Sequence, residues 1–109
     1  MEIKNETLKN LVENVLQRIP QTRNDDRLLS LEVSRAFRPD LFLKIEGKEG
    51  LYIRARDFLD YLPKHDHITR IRRKFQQHGM YLPTDPEIAD RRRRDVEKWQ
   101  DFSKTGQFA

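Results

Sequence analysis

Prolines divide the chain into short segments, and most of these segments carry apolar residues at helical spacing. Ahead of Pro20, apolar residues recur every three or four positions, which places them on one stripe of an amphipathic helix beginning near Asn5. The stripe consists of Leu8, Leu11, Val12, Val15, Leu16 and Ile19. A second helix is predicted from Asn24, its N-cap, to Arg38, just before Pro39. These two segments predict a helical hairpin.

Residues 41–54 follow a different pattern, in which apolar and polar residues alternate on either side of a turn-forming segment at residues 47–50. The alternating apolar residues are Leu41, Leu43, Ile45, Leu51 and Ile53. Alternation with a period of two is typical of a β-strand that buries one face. The pattern therefore predicts a short β-hairpin.

Helical spacing then returns and predicts two consecutive helices, at residues 55–62 and 66–78, joined by a turn that contains Pro63. Asp66 is the predicted N-cap of the second of these helices, and Gly79 is predicted to end it. A short helix, a tight turn and a basic helix form the arrangement of a helix-turn-helix. We therefore expect a helix-turn-helix-like pair.

A fifth helix is predicted to start at the capping-box sequence from Thr84 to Glu87, with Pro86 in its first turn, and to end near Ser103. It offers few apolar residues to a core, namely Ile88, Val96, Trp99 and Phe102. This helix is therefore expected either to pack by a narrow seam or to project as an arm.

The composition limits what these helices can bury. Of the 109 residues, 36% are hydrophobic and 37% are charged, whereas globular chains average roughly 45–50% and 25%. A chain of this length has room for one core. The expected fold is therefore mostly α, a single small helical domain of about five helices over residues 1–103, followed by a frayed tail at residues 104–109.

The residue types that are absent or scattered exclude several classes of protein. The chain has no cysteine, which excludes disulfides, thiolate metal sites and cysteine nucleophiles. Its longest apolar run, Leu41 to Leu43, is far shorter than the roughly 18–20 residues that cross a bilayer, and its first residues show no signal-peptide pattern. We expect a cytoplasmic protein that makes no membrane contact.

The three histidines raise the question of a metal site. His65 and His67 flank Asp66, and His78 follows farther along. We assign no metal to them, because Asp66 has a predicted capping role and no second carboxylate–histidine cluster accompanies them. The chain also has no glycine-rich phosphate loop, no nucleophile motif and no convergent pair of acids. A non-enzymatic protein without metal or cofactor is expected.

The positive charge of the chain is concentrated in one segment. The net charge is +4, and residues 63–79 carry five Lys or Arg against one Asp, while the segments on either side are balanced. On a helical projection the side chains of this segment separate into a stripe that contains Ile68, Ile71 and Phe75 and an opposite cationic face. A basic face on an otherwise neutral body is expected of a nucleic-acid-binding protein.

Arginine and glutamine bond guanine and adenine edges in pairs, and lysine mainly neutralises phosphate. The predicted nucleic-acid site consists of Arg70, Arg73 and Gln77 at base edges and of Lys64, Arg72 and Lys74 at phosphates. The alternative interpretation is an ordinary solvated helix face. The sequence favours DNA over RNA as the partner and leaves open whether the protein forms a homo-oligomer.

A second basic run lies at residues 91–94. Arg91, Arg93 and Arg94 have acids four positions away, so that i,i+4 ion pairs would stabilise a helix with few apolar anchors. The favoured interpretation of this run is structural. Arg91, Arg92 and Arg94 are kept as a secondary contact, with phosphate or with a subunit.

Residues 68–76 (ITRIRRKFQ), followed by residues 79–84 (GMYLPT) and a charged helix, resemble the basic helix-turn-helix-like C-terminal half of small tailed-phage and prophage proteins of Gram-positive bacteria. The N-terminal half is similar to theirs as well, through its leucine-rich first helix and the sequence TRND at residues 22–25. The resemblance implies a phage or prophage setting in the host cytoplasm, where short accessory proteins handle DNA or inhibit host machinery.

Two hypotheses of function follow from the sequence. The first is a phage-type accessory nucleic-acid-binding protein, regulatory or replication-associated. The alternative is a protein-binding inhibitor of a host or defence nucleoprotein, such as an anti-CRISPR protein, that uses the same basic face to occupy a nucleic-acid or acidic surface. A DNA mimic would be acidic, and this chain is not.

Overall fold

A computed structural model describes residues 5–105, with the side chains of residues 7–95, 97 and 98. It contains the helices α1 (Asn5–Arg18), α2 (Asp26–Phe37), α3 (Ala55–Tyr61), α4 (His65–Gln77) and α5 (Pro86–Thr105). Short 3₁₀ turns at Pro20–Arg23 and Pro39–Leu41 follow α1 and α2. The mostly α fold with five helices is thus confirmed over the described residues.

Helices α1, α2 and α4 pack together and form the core. Every buried side chain of the apolar cluster comes from these three helices: Leu8, Val12, Val15, Leu16, Leu29, Val33, Ile68 and Phe75. The stripe predicted for α1 is confirmed, since its other two members, Leu11 and Ile19, are partly buried against the same cluster. The helical hairpin of α1 and α2 therefore needs α4, much later in the chain, to close its apolar face.

Side chains of the first 3₁₀ turn complete the end of α1. Thr22 is fully buried, and its hydroxyl donates to the carbonyl of Ile19 at 2.6 Å. The Nε of Arg23 donates to the carbonyl of Leu16 at 2.8 Å. The last carbonyls of a helix lack partners within the helix, and Arg23 supplies one for Leu16, while Thr22 closes the turn that follows α1.

The N-cap of α2 is Asp25, so the prediction of Asn24 is wrong by one residue. The Asp25 carboxylate accepts from the amides of Arg27 and Leu28 at 2.9 and 3.3 Å. Asn24 instead donates through Nδ2 to the Thr84 hydroxyl at 2.7 Å and accepts from the Asp85 amide at 3.1 Å. The asparagine thus joins the start of α2 to the start of α5.

The same contact displaces the predicted capping box of α5. Thr84 is bonded to Asn24, and Asp85 accepts from the amide of Glu87 at 2.9 Å. Pro86 is the first residue of α5, as predicted. The predicted cap of α4 is also wrong, because Asp66 lies in the first turn and Lys64 holds the cap position without a side-chain bond.

The end of α4 is as predicted. Gly79 has a φ of 78°, in the left-handed region that favours glycine, and its amide bonds the carbonyl of Gln76 at 3.1 Å. The Met80 amide bonds the carbonyl of Phe75 at 3.0 Å, which completes a Schellman motif. Tyr81 follows with a φ of 51°, and its ring packs edge-on against Phe75 at 5.5 Å between centroids.

The predicted β-hairpin does not form a sheet. Among the described residues the segment contains one isolated antiparallel bridge, in which Leu43 and Tyr52 exchange backbone hydrogen bonds of 2.6 and 2.7 Å. Of the five apolar residues that alternate along it, Leu43, Ile45 and Leu51 are exposed, and Leu41 and Ile53 are half-buried. None of the five is fully buried, and a two-stranded ribbon that buries so little is marginal.

Helices α3 and α4 follow one another across a three-residue turn, but α3 buries none of its residues. Phe58 and Leu59 of α3 point to solvent, while Leu62 and Pro63 of the turn are buried. The core partners of α4 are α1 and α2. Helices α3 and α4 therefore follow each other in the chain as in a helix-turn-helix, but they do not pack against each other as the two helices of that motif do.

The C-terminal helix continues slightly past its predicted end, to Thr105. Ile88 is half-buried, whereas the side chains of Val96, Trp99 and Phe102 lie outside the described set. Of the tail predicted at residues 104–109, residues 104 and 105 belong to this helix, and residues 106–109 lie outside the described residues. None of the described helices has the length and apolar character to cross a membrane.

We expect Ile68→Ala to lower the free energy of unfolding by about 2–5 kcal/mol, because the side chain is fully buried where α4 meets the other two core helices. The control is Leu59→Ala, at an apolar residue that is 74% exposed, which should change stability by no more than about 0.5 kcal/mol. Urea denaturation followed by circular dichroism measures both. Equal losses would place α3 in the core and contradict this packing.

Candidate functional site

Helix α4 presents one side to the core and the other to solvent. Ile68 and Phe75 face the core. The exposed residues of the helix include four that were predicted to form the cationic face, Arg70, Arg73, Lys74 and Gln77. Lys64, at the N-cap, is exposed as well. The structure therefore brings five of the six predicted site residues to the surface.

Arg72 is the exception, because it lies inside the protein. Its side chain is only 7% exposed, and its Nε and Nη2 donate to the two carboxylate oxygens of Asp26 at 3.0 and 2.9 Å. This forked pair joins α4 to the first turn of α2. Arg72 follows Ile68 by one helical turn and so belongs to the buried stripe, a signal that the sequence already contained. Its predicted phosphate contact is replaced by this internal ion pair.

Arg92 of α5 approaches the same carboxylate. Its Nη1 donates to the backbone carbonyl of Arg23 and, at 3.1 Å, to Oε1 of Gln76, while its Nη2 lies 3.6 Å from Asp26. Arg72 also donates to Oε1 of Gln76, at 3.3 Å. Two guanidinium groups thus share one carboxylate and one amide oxygen. This polar cluster of Asp26, Arg72, Gln76 and Arg92 connects α2, α4 and α5.

The electrostatics of the polar cluster favour an anion. Burial and the nearby positive charges of Arg72 and Arg91 lower the pKa of Arg92, and the carboxylates of Asp26 and Asp25 only partly oppose them. Two cations beside one anion leave an excess positive charge. Arg92, predicted as a secondary surface contact, is thus half-buried and is held mainly by internal partners.

Two grooves flank the exposed face of α4. One, of about 500 Å³, lies between α4 and the first turns of α5, and the other, of about 390 Å³, lies between α4 and α1. The charged or titratable side chains of the first groove are Arg72, Arg73, Asp90, Arg92 and Arg93, and those of the second are Lys9, His67, Arg70, Lys74 and His78. Asp90 is the single acid in the two linings, and Arg93 is paired with it at 3.2 Å. The cationic surface therefore extends over three helices.

The sequence did not indicate that Lys9 and Arg93 belong to the cationic surface. Lys9 lies on α1, where its ammonium group sits 5.9 Å from the centre of the Phe75 ring, and Arg93 lies on α5. Both belong to segments with balanced charge. Only the packing of distant helices brings them beside the basic segment.

The arginine run at residues 91–94 does not form the predicted i,i+4 pairs between its described side chains. Arg93 pairs with Asp90 one turn earlier, and Arg94 donates to the Asp90 carbonyl at 3.4 Å. Arg91 and Arg94 are exposed. The run is thus divided between one internal residue, Arg92, and three at the surface.

The histidines take separate places. Nδ1 of His65 lies 2.5 Å from the hydroxyl of Ser30, a bond that links α4 to α2, whereas His67 and His78 line the groove beside α1. In the described part of the chain, no three His, Asp or Glu side chains lie close enough together to hold a metal ion.

Comparison with family models, with curated proteins and with solved structures finds no match to this chain.

We expect Arg72→Met to destabilise the protein by about 2–4 kcal/mol, because it removes the closer partner of a carboxylate that is only 30% exposed. Arg70→Met, which makes the same change on the exposed side of the same helix, should cost no more than about 0.5 kcal/mol. Chemical denaturation of the two variants tests this. Similar midpoints would show that Arg72 is not an internal ion-pair residue.

Proposed function

We propose that this protein binds nucleic acid through the exposed face of α4 and the two grooves beside it, and that it prefers duplex DNA to RNA. The observation that carries the proposal is that cations from α1, α4 and α5 line the two grooves, whose single acid, Asp90, is already paired. Solubility alone does not require charge of one sign to be gathered from three helices. A surface of this kind is suited to bind a polyanion.

The dimensions of α4 support contact with a duplex. Its 13 residues span about 20 Å, and the major groove of B-DNA, about 12 Å wide, admits a helix. In this proposal Arg70 and Gln77 contact base edges and Lys64 and Lys74 contact phosphates, while Arg73, which lines the groove beside α5, contacts the backbone on that side. The grooves on the two sides of α4 offer Lys9 and Arg93 to the flanking backbones. The proposal is a binding function, of the accessory kind that the resemblance to phage proteins implies.

We expect the triple variant Arg70→Ala, Arg73→Ala, Lys74→Ala to lose duplex binding with little change in melting temperature, because all three side chains are exposed. If about four phosphates are neutralised, the logarithm of the wild-type binding constant should fall against the logarithm of salt concentration with a slope of roughly −3.6. Fluorescence anisotropy of a labelled duplex at several salt concentrations measures affinity and slope together.

The matched control for this experiment is Lys44→Ala, Arg54→Ala, Arg56→Ala. It removes the same number of exposed arginines and lysines from a segment outside both grooves. It should retain most of the affinity. Equal losses in the two triple variants would show that only net charge matters and would remove α4 as the site, and a wild-type protein that fails to bind at 50 mM salt and micromolar concentration would end the proposal.

A second candidate function, inhibition of a nucleoprotein through protein contact, is favoured by the exposed apolar surface of α3. Phe58, Leu59 and Tyr61 are 57%, 74% and 46% exposed, and the neighbouring segment exposes Leu51 and Tyr52 as well. Only 36% of this chain is hydrophobic, yet residues 51–61 expose five large apolar or aromatic side chains. Exposed apolar surface of this kind is typical of a site that binds another protein.

Pull-down from host lysate with and without nuclease separates the two functions. For the second candidate we expect a partner protein that survives nuclease treatment and is lost with Phe58→Ser, Leu59→Ser, because these changes remove the apolar contact and leave the core intact. The basic-face triple variant serves as the comparison. Loss of every bound protein upon nuclease treatment would contradict the second candidate and leave nucleic-acid binding as the function.

A further inference from the structure

The polar cluster at the junction of α2, α4 and α5 holds one positive charge too many. Arg72 and Arg92 both face the carboxylate of Asp26, Arg72 at 2.9 Å and Arg92 at 3.6 Å. A single carboxylate neutralises one guanidinium. The second guanidinium, that of Arg92, is partly desolvated and lies next to a like charge, which is an arrangement that an anion stabilises.

The groove between α4 and α5 adds a further unneutralised charge. Arg73 lines this groove, and its hydrogen bond to a described residue is a long one, at 3.5 Å to the hydroxyl of Thr69. Arg93, in the same lining, is offset by Asp90. The groove therefore faces Arg92 and Arg73 together, with two positive charges available to one occupant.

Arg92 retains hydrogen-bond donors for that occupant. Its bonds to the carbonyl of Arg23 and to Gln76 both start from Nη1. Its Nη2 is 3.6 Å from Asp26, beyond a good hydrogen bond. A guanidinium carries five N–H groups, so the hydrogens on Nε and Nη2 stay available for a pair of parallel bonds to an oxyanion.

The remaining lining suits a small anion with several oxygens. Gln77 contributes an amide donor, while Leu82, Pro83 and Ala89 form an apolar wall. Charged hydrogen bonds beside an apolar wall are screened less than they are in open solvent. The groove, of about 500 Å³, has room for a phosphate group together with the sugar attached to it.

We propose that the groove between α4 and α5 is a phosphate-binding subsite, in which Arg92 and Arg73 hold one phosphate group. If the phosphate belongs to a nucleic-acid backbone, the subsite rests on the proposed nucleic-acid binding. If the phosphate is free, the subsite is independent of that function. In either case Asp26 sets its strength, because the carboxylate competes with phosphate for the Arg92 guanidinium.

The test uses two variants that should act in opposite directions. Arg92→Met removes a residue that binds phosphate, whereas Asp26→Asn removes the competing negative charge and keeps an amide oxygen that can accept a bond from Arg72. Arg56→Met is the matched control, since it makes the same change at an exposed arginine outside both grooves. Circular dichroism first establishes a temperature at which all the variants are folded.

Inorganic phosphate is the first probe, followed through the arginine Nε–H signals in ¹H–¹⁵N spectra. In the wild type we expect saturable shifts of the Arg92 and Arg73 signals. Asp26→Asn should bind phosphate about threefold or more tightly, because a nearby negative charge is gone, and Arg92→Met should show no saturable shift of Arg73. A merely structural role of the cluster predicts that both variants weaken binding, and that result would overturn the proposal.

Duplex DNA is the second probe and identifies the source of the phosphate. If the subsite holds a backbone phosphate, Arg92→Met should make the salt slope less steep by about 0.9, and Arg56→Met should leave the slope unchanged. Phosphate shifts without any duplex binding would support the subsite and end the proposed function. Duplex binding with equal slopes in the two variants and no phosphate shifts would end the subsite and leave the proposed function standing.

Discussion

The ion pair between Asp26 and Arg72 constrains the rest of this structure. It joins residues 46 positions apart, at the first turn of α2 and the middle of α4, through two hydrogen bonds of about 3 Å in a nearly buried setting. A charged group is retained in such a place only if its partner is held there too. The pair therefore fixes the rotation of α4 against α2, and Arg92 links the early part of α5 to the same carboxylate.

The rotation of α4 in turn decides which basic residues face outward. With Ile68 and Phe75 in the core and Arg72 against Asp26, the cations at positions 70, 73 and 74 have only the solvent side left. The same docking brings Lys9 of α1 and Arg93 of α5 to the flanks of the helix. Stability and the candidate site thus come from opposite sides of one helix, so that variants of the outer side can be tested without unfolding the chain.

Much of the fold could be predicted from local pattern. The α1 stripe, the termination of α4 at Gly79 and the placement of Pro86 at the start of α5 follow from spacing and backbone conformation alone. The errors have a common cause. Asn24 and Thr84 look like caps of their own helices, yet they bond to each other across 60 residues, and each cap moves one residue along. A residue suited to a local hydrogen bond is equally suited to a distant one, and the sequence does not show which partner is present.

By itself, the sequence determined that this chain is helical, that its core is small and that its excess charge lies on one helix, because these properties depend on residue type and on spacing within a segment. The tertiary structure decided the rest. It moved Arg72 from the surface to the interior, left the alternating segment at residues 41–54 with a single isolated bridge, and gathered cations from α1 and α5 beside α4. Each of these outcomes depends on which helix faces which, and that is fixed by contacts between residues far apart in the chain.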